Sequence, residues 1–155
     1  MKTYPQVIAP GVAIIGYYKP DIFHASAIAQ NLVGMTVING LEQSGSGAWD
    51  NAEWSSDLLA AEVRSPANHA FVVANGRSTE WHNDGGLPDM AMVVWSNREQ
   101  TEVRLKDGTI LRADPGDVML INNSIVEHRT PPKLSEDRWF FRRYVKVPDW
   151  MQIAR

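Results

Sequence analysis

Thr101, Val103 and Leu105 alternate with Glu102, Arg104 and Lys106, the period-two pattern of a strand with one face buried. Most of the chain from residue 70 onward reads in this way. Ala70–Ala74 is a short apolar strand that runs into Asn75-Gly76, a two-residue hairpin turn. Ser78–His82 comes next, and Asp89–Trp95 is an almost unbroken apolar run suited to a buried strand. Asp107-Gly108 turns the chain into Thr109–Arg112, and Asp114-Pro115-Gly116-Asp117 turns it again before Val118–Ile121. Ile125–Arg129 and Arg138–Val147 complete a set of eight short strands, whose turn spacing predicts a jelly roll or small barrel.

The N-terminal third carries a different pattern. Val12–Tyr18 has the composition of a strand. Asp21 then caps a predicted helix through Val33, in which Ile22, Ile28, Ala29, Leu32 and Val33 recur at helical spacing before the stop at Gly34. Gln43–Ala48 is Gly/Ser-rich and predicts a loop, and Ser55 or Ser56 caps a short helix through about Arg64, ended near Pro66. The expected architecture is mainly β with N-terminal helices packed on a double-sheet core, one domain over residues 1–155 with its core at about 70–147.

Composition narrows the function. A net charge of −3 argues against a nucleic-acid binder, which needs a basic face. The sequence contains no apolar run long enough to span a bilayer and no signal-peptide core in its opening residues, so no membrane association is expected and the cytoplasm is the expected compartment. With 0 cysteines there is no disulfide, no zinc–thiolate site and no thiol nucleophile. Any metal must be held by His, Asp, Glu, amide or water.

Of the 4 histidines, His24 and His69 have bland surroundings. Trp81-His82-Asn83-Asp84 is different. It sets an imidazole and a carboxylate two residues apart at a strand end, where both point the same way. His128 lies 46 positions after His82 on a later strand. Two His and one carboxylate make the facial triad of non-haem iron(II) oxygenases, with the opposite coordination positions left open. Taken alone, His-x-Asp is weak, and a strand histidine is more often a hydrogen-bonded core residue. Arg142, fourteen residues after His128 in the aromatic run Asp137–Val145, strengthens the pattern. A guanidinium in such a strand calls for an anionic partner and suits a bidentate carboxylate. An edge strand with Arg138, Arg142 and Arg143 solvated is the bland alternative.

Trp-His-Asn-Asp at 81–84, Pro-Gly-Asp-Val-Met-Leu-Ile-Asn-Asn at 115–123, Glu-His-Arg-Thr at 127–130 and Asp-Arg-Trp-Phe-Phe-Arg at 137–142 occur in the order seen in one family. On these residues the chain resembles the taurine dioxygenase and clavaminate-synthase-like iron(II)/2-oxoglutarate oxygenases, over residues 78–146. The resemblance implies a double-stranded β-helix (jelly roll, cupin-like). It implies His82, Asp84 and His128 as the iron(II) ligands and Arg142 as the clamp for the far carboxylate of 2-oxoglutarate; by spacing Arg138 falls slightly short and Arg143 slightly beyond. Thr101, or by residue count Thr109, stands for the family's co-substrate-binding Thr. The implied activity is a dioxygenase that uses dioxygen to hydroxylate a small metabolite or amino-acid derivative. Glu127 or Asn122 would orient a ligand imidazole, while Arg129, Asn75, Trp95 and Trp81 are candidates to face the substrate. Arg129 is equally well read as paired outside the barrel.

Three alternatives stay open: a cupin-like metal enzyme that does not use 2-oxoglutarate, a metal-free ligand-binding β-sandwich, and a homodimer in which Trp150 and Met151 meet the partner.

Overall fold

The computed structural model describes residues 3–21, 28, 31, 32, 35, 62–65, 69–73, 79–83, 90–135 and 137–152. They form ten strands: β1 (Gln6–Ala9), β2 (Val12–Tyr17), β3 (Glu62–Ser65), β4 (His69–Val73), β5 (Met90–Ser96), β6 (Glu102–Arg104), β7 (Ile110–Arg112), β8 (Asp117–Asn122), β9 (Glu127–Arg129) and β10 (Trp139–Lys146). One short helix, α1 (Asp149–Gln152), comes after them. Every pairing is antiparallel. Seven strands make one sheet in the order β1-β2-β8-β5-β10-β4-β3, and three make a second in the order β7-β6-β9.

Side-chain alternation explains how the large sheet is buried. Ala13 and Ile15 of β2, Ala91, Val93 and Trp95 of β5, Val118 and Leu120 of β8, and Phe141 and Val145 of β10 share one face and one core cluster with Ile28, Leu32 and Met151. The residues between them, Val12, Ile14, Met92, Val94, Met119, Ile121 and Tyr144, share the other face and pack on Val103 and Val126 from the side of the small sheet. Burial on both faces is why Met90–Ser96 reads as an unbroken apolar run instead of an alternating one. Trp95 therefore lies in the outer cluster, its Nε1 donating to the Tyr18 carbonyl at 2.8 Å, and does not face the inter-sheet space as anticipated. Met151 is buried in the same cluster, and the partly buried Trp150 packs against it.

The turns obey their local chemistry. Gly108 (φ 89°) closes the β6–β7 hairpin at Asp107-Gly108, and the Asp107 carboxylate accepts from the Thr109 amide at 2.9 Å. Gly116 (φ 91°) ends the turn before β8, where a Cβ would sit 2.9 Å from the Tyr17 ring.

Several N-terminal expectations need correction. The predicted helix ending near Arg64 is overturned at its C-terminal end, where Glu62–Ser65 pairs with β4 instead; pairing with a ready strand outweighs weak local helix propensity. β1 is a further strand that sequence patterning did not predict. Of the predicted Asp21–Val33 helix, Asp21 is an exposed bend, Ile28, Asn31 and Leu32 are helical, as is Met35 beyond it, and the rest lies outside the described residues. No N-terminal helix is therefore among the described elements. No helix among the described residues is long and apolar enough to cross a membrane.

Leu120 is fully buried at the centre of the large sheet, whereas Ile110 on β7 is 52% exposed. Leu120→Ala is expected to lower unfolding free energy by about 2–5 kcal/mol through lost transfer energy and a residual cavity. Ile110→Ala is expected to change it by under about 0.5 kcal/mol. Urea titration of both variants checks the contrast.

Candidate metal centre

His82 and His128 meet through their backbones before their rings. The His82 amide donates to the His128 carbonyl at 3.1 Å, and the His128 amide donates back to the His82 carbonyl at 2.9 Å. This isolated antiparallel bridge adds His82 to the edge of the small sheet beside β9. Directly opposed residues in an antiparallel pair project from the same face. The two imidazoles accordingly lie with ring centroids 4.4 Å apart and planes at 61°. His128 also pairs across β6 with Val103, a member of the inter-sheet cluster, so both rings are on the inner face of the small sheet.

The His82 Nδ1 lies 2.7 Å from the Glu80 carbonyl. A carbonyl only accepts, so Nδ1 carries the proton and the lone pair falls on Nε2, the tautomer a metal ligand needs. Two imidazoles bound cis to one ion, at about 2.1 Å per nitrogen, have ring centres about 4.5 Å apart. The observed separation is of that size, and it is also that of two rings in edge contact. Asp84, the third predicted ligand, lies outside the described residues, and among the described residues no set of three His, Asp or Glu side chains gathers as a metal site.

Asn83 is a residue that sequence reading passed over. Its Nδ2 donates to the carbonyls of Asn123 at 2.7 Å and Val126 at 2.8 Å, tying the His82 segment to the turn that leads into β9. The expected orienting residues do other work. Glu127 binds Arg104 at 2.6 Å, and Asn122 Oδ1 accepts from the Ser124 amide and hydroxyl. The Glu80 carbonyl takes the orienting role at His82.

The arginines separate by face. Phe140 and Tyr144 of β10 belong to the inter-sheet side, and Arg142 between them shares it, its Cζ 5.7 Å from the Tyr144 ring centre. Arg143 points to the opposite face with Phe141 and Val145. Arg138 sits two residues before Phe140 and lies over its ring at 5.0 Å. It is 1% exposed, its Nε donates to the Glu99 carbonyl at 2.8 Å, and its Nη2 is buried without a hydrogen-bond partner among the described residues. Burial lowers its guanidinium to about 10, opposed by the nearby Glu99 charge, so it stays protonated at neutral pH. Thr101 lies two residues beyond Glu99 and is buried, whereas Thr109 is exposed beside the Asp107-Gly108 turn.

Arg129, Trp81 and Glu102 occupy the other face of the small sheet. Arg129 Nε binds Glu102 at 2.9 Å, Arg112 binds the second oxygen of the same carboxylate, and Arg129 and Arg104 both lie against the Trp81 ring, at 4.3 Å and 4.8 Å. Arg129 is therefore ion-paired on the outer face of the small sheet, and neither it nor Trp81 faces the inter-sheet space. Asn75 lies outside the described residues. Comparison of the sequence with protein-family models gives no match, and comparison with curated proteins gives none either.

Burial by itself would raise the Glu102 carboxyl, but hydrogen bonds from Arg112 and Arg129 outweigh it and hold the group below its usual value of 4.5. A carboxyl depressed in the folded state adds stability that is present above its unfolded value and fades as pH falls through the folded one. Glu102→Gln is expected to cost about 2 kcal/mol at pH 7. The difference from wild type should shrink steadily below pH 4.5, as read by urea midpoints across pH.

Proposed function

We propose that the chain is an iron(II)- and 2-oxoglutarate-dependent dioxygenase that hydroxylates an unactivated C–H bond of a small metabolite or amino-acid derivative. The observation that carries the reading is the His82–His128 bridge, which brings two imidazoles 46 residues apart in sequence to one spot on the inner sheet face with a ligand-competent tautomer at His82.

The strand order supports a double-stranded β-helix for the same reason. From β4 to β10 the chain visits the large sheet at β4, β5, β8 and β10, and the small one at His82, β6, β7 and β9. Eight segments shared in this way between two facing antiparallel sheets are the plan of a jelly roll.

In this reading His82, Asp84 and His128 would hold the metal. Bound iron(II) supplies the redox chemistry by which dioxygen converts 2-oxoglutarate to succinate and carbon dioxide and a substrate C–H to C–OH. The chain's own residues orient and exclude. Val103, Met119, Val126 and Tyr144 wall the inter-sheet space with apolar surface, so water competes poorly there. Thr101, Arg142 on the inner face of β10 and Arg138 just before that strand bind the far carboxylate of the co-substrate. Between those arginines, burial favours Arg138: a desolvated guanidinium with an unsatisfied Nη2 gains most from a bidentate carboxylate. Arg142, the residue singled out by spacing, lies on β10 itself.

Succinate release with iron(II), ascorbate and 2-oxoglutarate across a panel of amino acids and small metabolites tests the activity. His82→Ala, Asp84→Ala and His128→Ala are each expected to abolish turnover. Arg138→Met is expected to raise the 2-oxoglutarate concentration for half-maximal rate at least ~10-fold, and Arg142→Met by less, in keeping with the loss of a charge-assisted pair. Wild-type activity in any ligand variant, or no divalent-metal uptake by the wild-type chain, would sink the reading.

A further inference from the structure

We infer that Trp81 is a positioning residue: held against both Arg104 and Arg129 on the outer face of the small sheet, it fixes the register at which His82 meets His128. Its functional meaning rests on the oxygenase reading, but the clamp does not.

The need for such a device comes from the weakness of the bridge. Among the described residues, His82 pairs with the sheet through one isolated bridge with two backbone hydrogen bonds. A slip of one residue would turn His82 to the outer face and bring Trp81 or Asn83 to the inner one, since side chains alternate along an extended chain. Asn83 resists sliding only in part, because its amide grips backbone carbonyls, which recur at every residue.

Trp81 supplies the side-chain-specific element. In the antiparallel register it stands opposite Arg129, and the Arg129 guanidinium lies 4.3 Å from the centre of its ring. Arg104 reaches it diagonally from β6 at 4.8 Å. Neither cation is loose. Arg129 is held by Glu102 at 2.9 Å and Arg104 by Glu127 at 2.6 Å, and Glu102 is in turn braced by Arg112. The outer face thus presents two anchored guanidinium groups, and an indole packed against them offers a large π surface with attraction to both cations. That contact points residue 81 outward, and therefore residue 82 inward.

Amide hydrogen exchange of the full chain, read residue by residue by NMR, tests this without requiring metal. In Trp81→Ala the amides of His82 and His128 are expected to exchange at least ~10-fold faster, while those of Val93 and Leu120 keep their protection. Trp81→Phe should restore most of the protection, and the double variant Arg104→Met/Arg129→Met should reproduce the Ala result; that double variant decides the matter if Trp81→Ala does not fold. Mn(II) affinity, measured by EPR on the same proteins, should fall ~10–100-fold in Trp81→Ala, the usual scale for residues that support ligands. Unchanged exchange at His82 and His128 would overturn the proposal, as would a uniform loss of protection that includes Val93 and Leu120. Local loss of protection in the variants together with no Mn(II) uptake by the wild-type chain would uphold the clamp and remove the oxygenase reading.

Discussion

Two backbone hydrogen bonds between His82 and His128 fix the geometry on both faces of the small sheet. They make the residues a directly opposed pair, and opposed residues share a face. From that one register the imidazoles converge on the inner side, while Trp81 and Arg129 converge on the outer. Neither ring has to be placed by a dedicated pocket. The backbone places both, and the Glu80 carbonyl then selects the His82 tautomer.

The same alternation organises the large sheet. Along β10, Phe141 and Val145 go to the core that Ile28, Leu32 and Met151 complete, and Phe140 and Tyr144 go to the inter-sheet space. Parity carries Arg142 with the inner set and Arg143 with the outer, while Arg138, just before the strand, lies over the Phe140 ring. A guanidinium as buried as Arg138 is costly without polar contacts. The Glu99 carbonyl, the Phe140 ring and the Glu99 charge offset part of that cost, and an incoming carboxylate would offset more.

The outer face of the small sheet has a character of its own. Arg112, Glu102, Arg129, Trp81, Arg104 and Glu127 form a continuous run of ion pairs and cation–π contacts. Glu102 is nearly buried and shared by two arginines, so it works as an anchor, not as one more surface charge. This polar network lies on the face of the small sheet opposite the two imidazoles, with Trp81 next in sequence to His82.

What the residues determined by themselves was the set of elements with strong local patterning. The alternation at Thr101–Lys106, the apolar run ending at Trp95 and the Asp-Gly and Pro-Gly turns each carried their conformation in short-range chemistry, and they appear as β6, β5, Gly108 and Gly116. The pairing of His82 with His128 was readable because each stood in a distinctive local setting. Other features depended on partners distant in sequence. β3 exists through pairing with β4, whatever the preference of Glu62–Ser65 alone. Trp95 and Arg129 could not be assigned a face until the register of their neighbours was known, because a slip of one residue reverses every side chain. Arg138 was discounted on spacing, yet burial beside Phe140 gives it the stronger demand for an anion. Distance along the chain measures reach, and only the folded sheet decides which side chains are shut away from water.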